Sequence, residues 1–226
     1  MDQIELPGKK PIADELYEYL RLAIMRGEFA AGERVVEEIV AARAGVSRTP
    51  AGQALRRLQS VDLLRASPQG LVVNELSIDE LAEACTVRDA LEALAAQLAA
   101  SSRSELDLGL LDELNRQFES AIGGDIEYVL ELNHAFHDAV WDAARNNFLK
   151  RNLLHTRSII ERLDSTTLRT VDRQREALAE HQAIAAAIAS RDPDAAHAAA
   201  FDHFRKATSI RIISQRTSVY RSRGQN

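Results

Sequence analysis

The chain has 226 residues, 46% of them hydrophobic, which is enough to form one or two buried cores. Its net charge of −6 excludes a protein coated with positive charge for nucleic-acid binding, so DNA binding would require a local basic surface. The lone cysteine, Cys85, excludes an internal disulfide framework, and we find no signal-peptide pattern or membrane-spanning apolar run, so we expect a cytoplasmic protein with no membrane partner.

The start of the chain is predicted to form a small helical unit. Residues 1–10 are predicted to be a polar, mobile arm. A helix is predicted over 11–26, because apolar side chains recur there at helical spacing and Gly27 follows as a stop signal. A turn over 28–34 and a short helix over 36–43 follow.

The next stretch, AARAGVSRTPAGQALRRL over 41–58, is typical of the turn and second helix of a helix-turn-helix. Gly45 allows the left-handed backbone of a tight turn, and Ser47 is a candidate N-cap whose hydroxyl would accept a backbone N–H. The predicted helix over 47–59 contains no acidic residue, although the chain as a whole is acidic. The alternative is an amphipathic helix with a solvated basic face.

A β-hairpin is predicted directly after this helix. Two short extended runs, 63–66 and 71–74, flank the turn residues Ser67-Pro68-Gln69-Gly70. A hairpin that follows a recognition helix is the layout of a winged helix-turn-helix, and its tip can lie beside a phosphate or in a minor groove. We assign residues 1–75 to a winged DNA-binding domain.

The rest of the chain has only helical periodicity. Ser77 and Glu80 have the spacing of a capping box at the start of the first helix. Helices are predicted at about 77–101, 105–122, 125–143, 147–168, 172–190 and 193–214. The short connections between them predict an antiparallel helical bundle over 76–226, and the fold class is therefore mainly α, with a small β-hairpin wing.

Three histidines in the bundle can be placed relative to one another. His181 lies eleven residues before Asp192 and His203 eleven residues after it, and the Asp192-Pro193 break makes their helices a hairpin. At 1.5 Å per residue, both stand roughly 16 Å from the turn, so they can face each other. His137 lies on an earlier helix, one turn after Asn133 on the same face.

Three imidazoles and one amide oxygen would suit a divalent metal that keeps an open coordination position. The alternative, which the spacing alone favours, is that each histidine is an ordinary helix residue with its own hydrogen-bond partner. Spacing alone also favours Arg88 as a surface residue paired with Glu92, over a cation facing an interior cavity. The sequence contains no HExxH motif, phosphate loop or nucleophile elbow, so the site is predicted to hold a ligand and the protein not to be an enzyme.

With these residues in hand, the chain resembles the GntR family of bacterial transcription regulators, in the branch with an FCD (FadR C-terminal) domain. The N-terminal resemblance rests on IMRGEFAAGERVVEEIVAARAGVSRTPAGQALRRLQSVDLL followed by GLVV. The C-terminal resemblance rests on VRDALEALAAQLA, LNHAFHDAVWDAARN, EHQAIAAAIASRDPDAA and the pair His203-Phe204.

The resemblance implies a homodimeric DNA-binding protein, commonly a repressor, that is controlled by a ligand and binds a two-fold symmetric operator in double-stranded DNA. The residues expected to contact DNA are Ser47, Arg48, Thr49, Gln53, Arg56, Gln69 and Gly70. The resemblance also implies a divalent metal ion, zinc or nickel, held by Asn133, His137, His181 and His203. A small organic-acid effector would complete the coordination sphere, with Arg88 as its anchor.

Two departures from the family pattern matter for function. The family often has Arg-Glu where this chain has Gly52-Gln53, which removes an expected DNA contact and costs roughly 1 kcal/mol relative to alanine inside a helix. Asn133 stands where an aspartate is common, and its neutral oxygen is expected to bind a metal more weakly. The competing functions are a metal-free regulator that binds a bulkier apolar effector and a metal-dependent helical enzyme.

Overall fold

The computed structural model of the protein describes residues 4–74, 77–161 and 166–223. The chain divides into two compact units, Met1–Ser77 and Ile78–Asn226. The elements of the first unit are α1 Ile12–Met25, β1 Arg34–Val35, α2 Glu37–Ala44, α3 Arg48–Ser60, β2 Leu64–Ser67 and β3 Gly70–Val73. Those of the second are α4 Ile78–Ser102, α5 Glu105–Ala121, α6 Ile126–Ala143, α7 Asn147–Ile160, α8 Val171–Ala189 and α9 Pro193–Arg223. The mainly helical fold class is confirmed.

The first unit is a winged helix-turn-helix. Helices α1, α2 and α3 pack around a core that includes Leu16, Leu20, Leu55 and Leu58, all fully buried. Helix α2 ends at Gly45, whose φ of +63° provides the left-handed turn into α3. Strands β2 and β3 form the predicted antiparallel hairpin.

The wing contains a third strand that the sequence analysis missed. The order of the antiparallel sheet is β1-β3-β2, with Arg34 opposite Val72. The turn predicted over 28–34 therefore ends in a strand. With only two residues, Arg34 and Val35, this strand is too short to produce the alternation that identifies a strand in a sequence.

The prediction of a mobile arm is wrong for residues 4–10. Ile4 is buried in the core of the first unit, and its N–H donates to the carbonyl of Arg43. The backbone N–H groups of Gly8, Lys9 and Lys10 all donate to the carboxylate of Glu15. These bonds lower the pKa of Glu15, the one from Lys10 most strongly. The polar composition of this segment gave no sign that Ile4 would be buried. The sequence also did not indicate that the Glu15 carboxylate would bind the backbone of residues 8–10.

The second unit is the predicted helical bundle. Its core is rich in alanine and leucine from α4, α5, α6, α8 and α9, with Phe118 and Phe136 among the largest fully buried side chains. Helix α4 begins directly after Ser77 and packs most extensively against α9. Cys85 on α4 is fully buried, as expected for a structural thiol.

Two predicted helix ends in the second unit are wrong. Helix α7 ends at Ile160 and not at 168, and Leu168 is instead a buried loop residue whose carbonyl accepts a bond from the Gln174 side chain. Residues 162–165 of the predicted helix lie outside the described residues. Helix α9 continues to Arg223, well beyond 214, because no glycine or proline interrupts it there.

Candidate functional site

The residues predicted to contact DNA are all exposed, and they belong to two parts of the first unit. Five lie at or in α3 and two at the tip of the β2–β3 hairpin: Ser47, Arg48, Thr49, Gln53, Arg56, Gln69 and Gly70. The first turn of α3 carries no acidic side chain, so its free backbone N–H groups and positive helix dipole remain available to an anion. The N-terminus of α3 therefore has the polarity required to approach a phosphate, with the carboxylates of Glu37 and Glu38 beside it.

Ser47 occupies the N-cap position without capping the helix through its side chain. Its backbone is extended, with φ −72° and ψ 165°, but its hydroxyl accepts no cap hydrogen bond from α3. The expected capping bond is therefore absent. An exposed hydroxyl at a helix N-terminus without an intramolecular cap is suited to an external acceptor such as a phosphate oxygen.

Arg48 is held by two carboxylates of α2. Its Nε lies 3.2 Å from Oε1 of Glu37, and its Nη2 lies 2.9 Å from Oε1 of Glu38. The Arg48 side chain is still 68% exposed. An exposed ion pair of this kind contributes little to folding stability. The two carboxylates instead fix the direction in which the Arg48 guanidinium points.

The turn at the tip of the wing is held by hydrogen bonds of the Ser67 hydroxyl. The hydroxyl of Ser67 donates to the carbonyl of Gly70 over 2.9 Å, and the N–H of Gln69 donates to the same hydroxyl over 3.2 Å. Gly70 has φ +114°, a conformation that side-chain-bearing residues rarely adopt. The turn thus presents the exposed Gln69 side chain on a fixed backbone.

His137, His181 and His203 come together in the core of the second unit, from α6, α8 and α9. All three are buried, and their ring centroids lie 4.9 to 5.1 Å apart. One ring nitrogen from each lies within 4.8 Å of the others. The 5.0 Å separation of His181 and His203 agrees with their equal distance from the break at Asp192.

The hydrogen bonding of this triad fits a metal ion. Neither ring nitrogen of the fully buried His181 has a hydrogen-bond partner in the described part of the chain. Nδ1 of His203 lies 2.6 Å from Oε2 of Glu180, which leaves its Nε2 lone pair for an ion.

The three imidazoles are held in the neutral form that binds metals. Burial, and then the neighbouring His181 and His203, hold the pKa of His137 well below its usual value. Burial has the same effect on His181, followed by the influence of His203. The pKa of His203 is also lowered by burial, although its hydrogen bond to Glu180 opposes the shift. Metal binding therefore requires no proton to be removed near neutral pH.

His137 and His203 of the triad line a small cavity of about 80 Å³, and Asn133 lines it as well. Arg88 lines the same cavity and is buried, so the surface position favoured by its spacing is wrong. Its partner is Asp89, at 2.9 Å, and not Glu92. Its Nη2 also donates to the Thr208 hydroxyl over 2.8 Å.

Further arginines line this cavity that the sequence analysis did not identify. With Arg88 on α4 they are Arg157 on α7, Arg173 on α8 and Arg211 on α9. Arg173 is buried and donates through Nη2 to Glu180, but its Nε and Nη1 have no hydrogen-bond partner among the described residues. Three of these guanidinium groups already pair with a carboxylate: Arg88 with Asp89, Arg157 with Asp138 and Arg173 with Glu180. The remaining donors of Arg173 are the groups that favour an anionic ligand. The sequence signal was weak, because these residues are far apart in the chain.

The acidic residue Glu92 also lines this cavity. It is buried, and its Oε2 accepts a 2.6 Å hydrogen bond from Nε1 of Trp141. Burial raises its pKa from 4.5 to about 7, although Trp141, Arg157 and Arg88 all oppose the shift.

The other three histidines are not part of the triad. His134 lies 3.2 Å from Glu161, His155 is exposed and the ring of His197 stacks on Phe201. Among the described residues, His137, His181 and His203 form the only cluster of His, Cys, Asp or Glu side chains whose ligand atoms lie close enough together to share a metal ion.

Two protein-family models match the chain in the order of its two units. The model of bacterial regulatory proteins of the gntR family matches residues 12–73, and the FCD domain model matches residues 83–206. The HTH-type transcriptional regulator YdhC of Bacillus subtilis strain 168 is 30% identical over 207 residues, which cover 90% of this chain and 92% of YdhC. The chain belongs to the GntR family of bacterial transcription regulators. The proposed resemblance is thereby confirmed.

Other GntR-family proteins support the same assignment. The transcriptional repressor RspR of Escherichia coli K12 is 26% identical over 219 residues, 96% of each chain. The solved structure of E. coli McbR/YncC superposes with a TM-score of 0.70 at 23% identity, covering 91% of this chain and 99% of McbR, which establishes the shared fold. These relatives are regulators and not enzymes, and this chain is a transcription regulator as predicted. No helix in the described ranges is both long and apolar enough to cross a membrane.

Proposed function

We propose that two copies of this chain bind a two-fold symmetric operator and repress transcription until a small organic acid binds at a metal centre in the FCD domain. The observation that carries the proposal is the buried histidine triad, which lies in the same chain as a winged helix-turn-helix. Two of its members, His137 and His203, line a cavity together with four arginines. We place this activity in the cytoplasm, where the DNA of a bacterium lies.

In this proposal the two α3 helices occupy successive major grooves, with half-sites about one helical turn apart. Arg48 and Gln53 read base edges, since arginine pairs with guanine and glutamine with adenine in the major groove. Thr49 and Arg56 contact phosphates, together with Ser47. The wing tip at Gln69 and Gly70 touches the backbone or the minor groove.

The metal centre would use His137, His181 and His203, with Asn133 supplying an oxygen ligand. Nitrogen-rich sites of this kind suit zinc or nickel. A bound ion would supply a positive centre for one carboxylate of the effector. The hydrogen bonds of Arg88 to Asp89 and Thr208 use its Nε and Nη2. Its Nη1 is therefore the atom that would contact the acid.

Pairing of two chains is supported by exposed apolar side chains on the second unit. Val87 and Leu94, seven residues apart on α4, lie on one helix face and are exposed, as is Leu154 on α7. Helices α4 and α7 also pack against each other. Exposed apolar side chains such as these are candidates for burial against a second copy. Effector control then requires that the acid bind the DNA-competent and DNA-incompetent dimers with different affinities.

The polar lining of the cavity argues against the metal-free alternative with a bulky apolar effector. Four arginines and Glu92 line it, and its volume of about 80 Å³ is small. An apolar ligand would leave these groups without hydrogen-bond partners, which costs free energy for each one.

Operator recognition is tested with Arg48→Ala. We expect the variant to lose about tenfold in affinity for a duplex that the wild-type protein selects from random sequence, because one base-reading contact is removed. Fluorescence anisotropy at a fixed salt concentration measures the loss. Arg116→Ala is the matched control, since Arg116 is an exposed α5 residue of the second unit. Equal affinity of Arg48→Ala and wild type would remove Arg48 from the operator contacts.

A further inference from the structure

Gly52 is buried in the middle of α3, at a position where other side chains take the place of its missing Cβ. A Cβ there would lie 2.9 Å from Oε2 of Glu37 and 3.4 Å from Nη1 of Arg56. Gly109, which is also inside a helix, has no atom within 4 Å of the same point. The space above Gly52 is therefore filled, whereas the space above Gly109 is open.

The Glu37 carboxylate connects this space to Arg48. Its Oε1 lies 3.2 Å from Nε of Arg48, while its Oε2 lies over Gly52. Glu38 lies 2.9 Å from Nη2 of the same arginine. One carboxylate of α2 thus contacts Arg48 with one oxygen and fills the space above Gly52 with the other, and the glycine leaves the room for it.

We propose that Glu37 is a positioning residue that orients Arg48 for operator recognition, and that Gly52 determines specificity because it leaves room for Glu37. The inference rests on the proposed DNA-reading role of α3. It also gives a physical reason for glycine inside this helix, where it is an unfavourable residue.

The role of Glu37 is one of orientation. The pair with Arg48 is exposed and adds little to folding stability. A negative charge near the DNA also weakens the attraction to phosphates that dominates binding to any sequence. Its benefit lies in fixing the Arg48 guanidinium, which must meet a base edge in one geometry, and specificity depends on such contacts.

The ratio of two affinities tests this inference. The probes are a duplex of about 30 base pairs selected by the wild-type protein, long enough for two half-sites, and a scrambled duplex of the same composition. Glu37→Gln is expected to bind the scrambled duplex more tightly than wild type, and to lose about tenfold in preference for the selected duplex. A purely structural role would weaken binding to both duplexes alike, and that result would overturn the inference.

A double-mutant cycle tests the part played by Gly52. Gly52→Ala is expected to lower the preference about as much as Glu37→Ala does, because the new methyl group displaces the carboxylate. In the Glu37→Ala background, Gly52→Ala should cause no further loss, since no carboxylate remains to be displaced. Gly109→Ala makes the same chemical change where a Cβ meets nothing, and should leave both affinities unchanged.

Two kinds of failure can be told apart. If wild type discriminates between the duplexes and Gly52→Ala retains the full preference, or if the two substitutions are additive, the inference about Glu37 and Gly52 is overturned. If wild type selects no sequence and binds all duplexes equally, the proposed operator recognition fails first. Circular dichroism on each variant establishes that the helices are intact.

Discussion

Zinc or nickel added to chelator-treated protein is expected to raise the midpoint of thermal unfolding by about 10 °C. A ligand at a thousand times its dissociation constant stabilises the folded state by about 4 kcal/mol, and each kcal/mol shifts the midpoint by about 2–4 °C for a chain of this size. The buried nitrogens of His181, which have no partner among the described residues, are the groups that an ion would satisfy. Differential scanning calorimetry with and without the ion measures the shift.

His181→Ala should abolish this metal-dependent shift. Because the ring packs against Phe118 and Phe136, the variant also loses core contacts, so the comparison is each protein with and without metal. His155→Ala is the matched control, since His155 is exposed and outside the triad, and it should keep the full shift. An unchanged shift in His181→Ala would place the metal elsewhere.

The second large effect expected is a pH-dependent loss of stability caused by Glu92. In the unfolded chain this carboxyl loses its proton near pH 4.5, whereas burial raises the pKa in the folded state to about 7. Between these values the folded state binds a proton that the unfolded state has lost, so the free energy of unfolding falls as the pH rises. A rise in pKa of this size corresponds to at most about 3 kcal/mol, lost by about pH 8.

Glu92→Gln removes this loss, because the amide is neutral and its oxygen can still accept the hydrogen bond from Trp141. Urea unfolding of metal-free protein at several pH values between 5 and 8.5 should show the variant gaining on wild type as the pH rises. For Glu83→Gln, at an exposed position of the same helix, the free energy of unfolding should change with pH in parallel with that of wild type. Parallel curves for Glu92→Gln as well would mean that the Glu92 carboxyl ionises normally.

Features set by local periodicity could be predicted from the sequence. The Asp192-Pro193 break fixes the heights of His181 and His203, since the rise per residue of a helix is constant, and their rings do meet. The wing was predictable because turn residues separated two extended runs, and the helix-turn-helix because of the glycine at 45. These signals depend only on residues that are close in the sequence, so they can be recognised without knowing how the rest of the chain folds.

Features that depend on distant residues could not be predicted. The spacing of Arg88 and Glu92 is that of a surface pair, but Arg88 instead binds Asp89 and the Thr208 hydroxyl of α9, which packs on α4. The approach of Arg173 to Glu180 is local to α8, but their place beside the cavity and His203 depends on how the helices pack. Tertiary packing decides which face of a helix is buried, and one sequence does not specify it.

Elemental analysis of protein purified without a histidine tag is the most direct test of the proposed metal centre. We predict about one zinc or nickel ion per chain in the wild type, and none in His181→Ala, because the triad supplies the nitrogen ligands. No metal in either protein after incubation with both ions would contradict the account. The histidines would then be packing residues, and an effector would have to be held by Arg88 and the other arginines of the cavity alone.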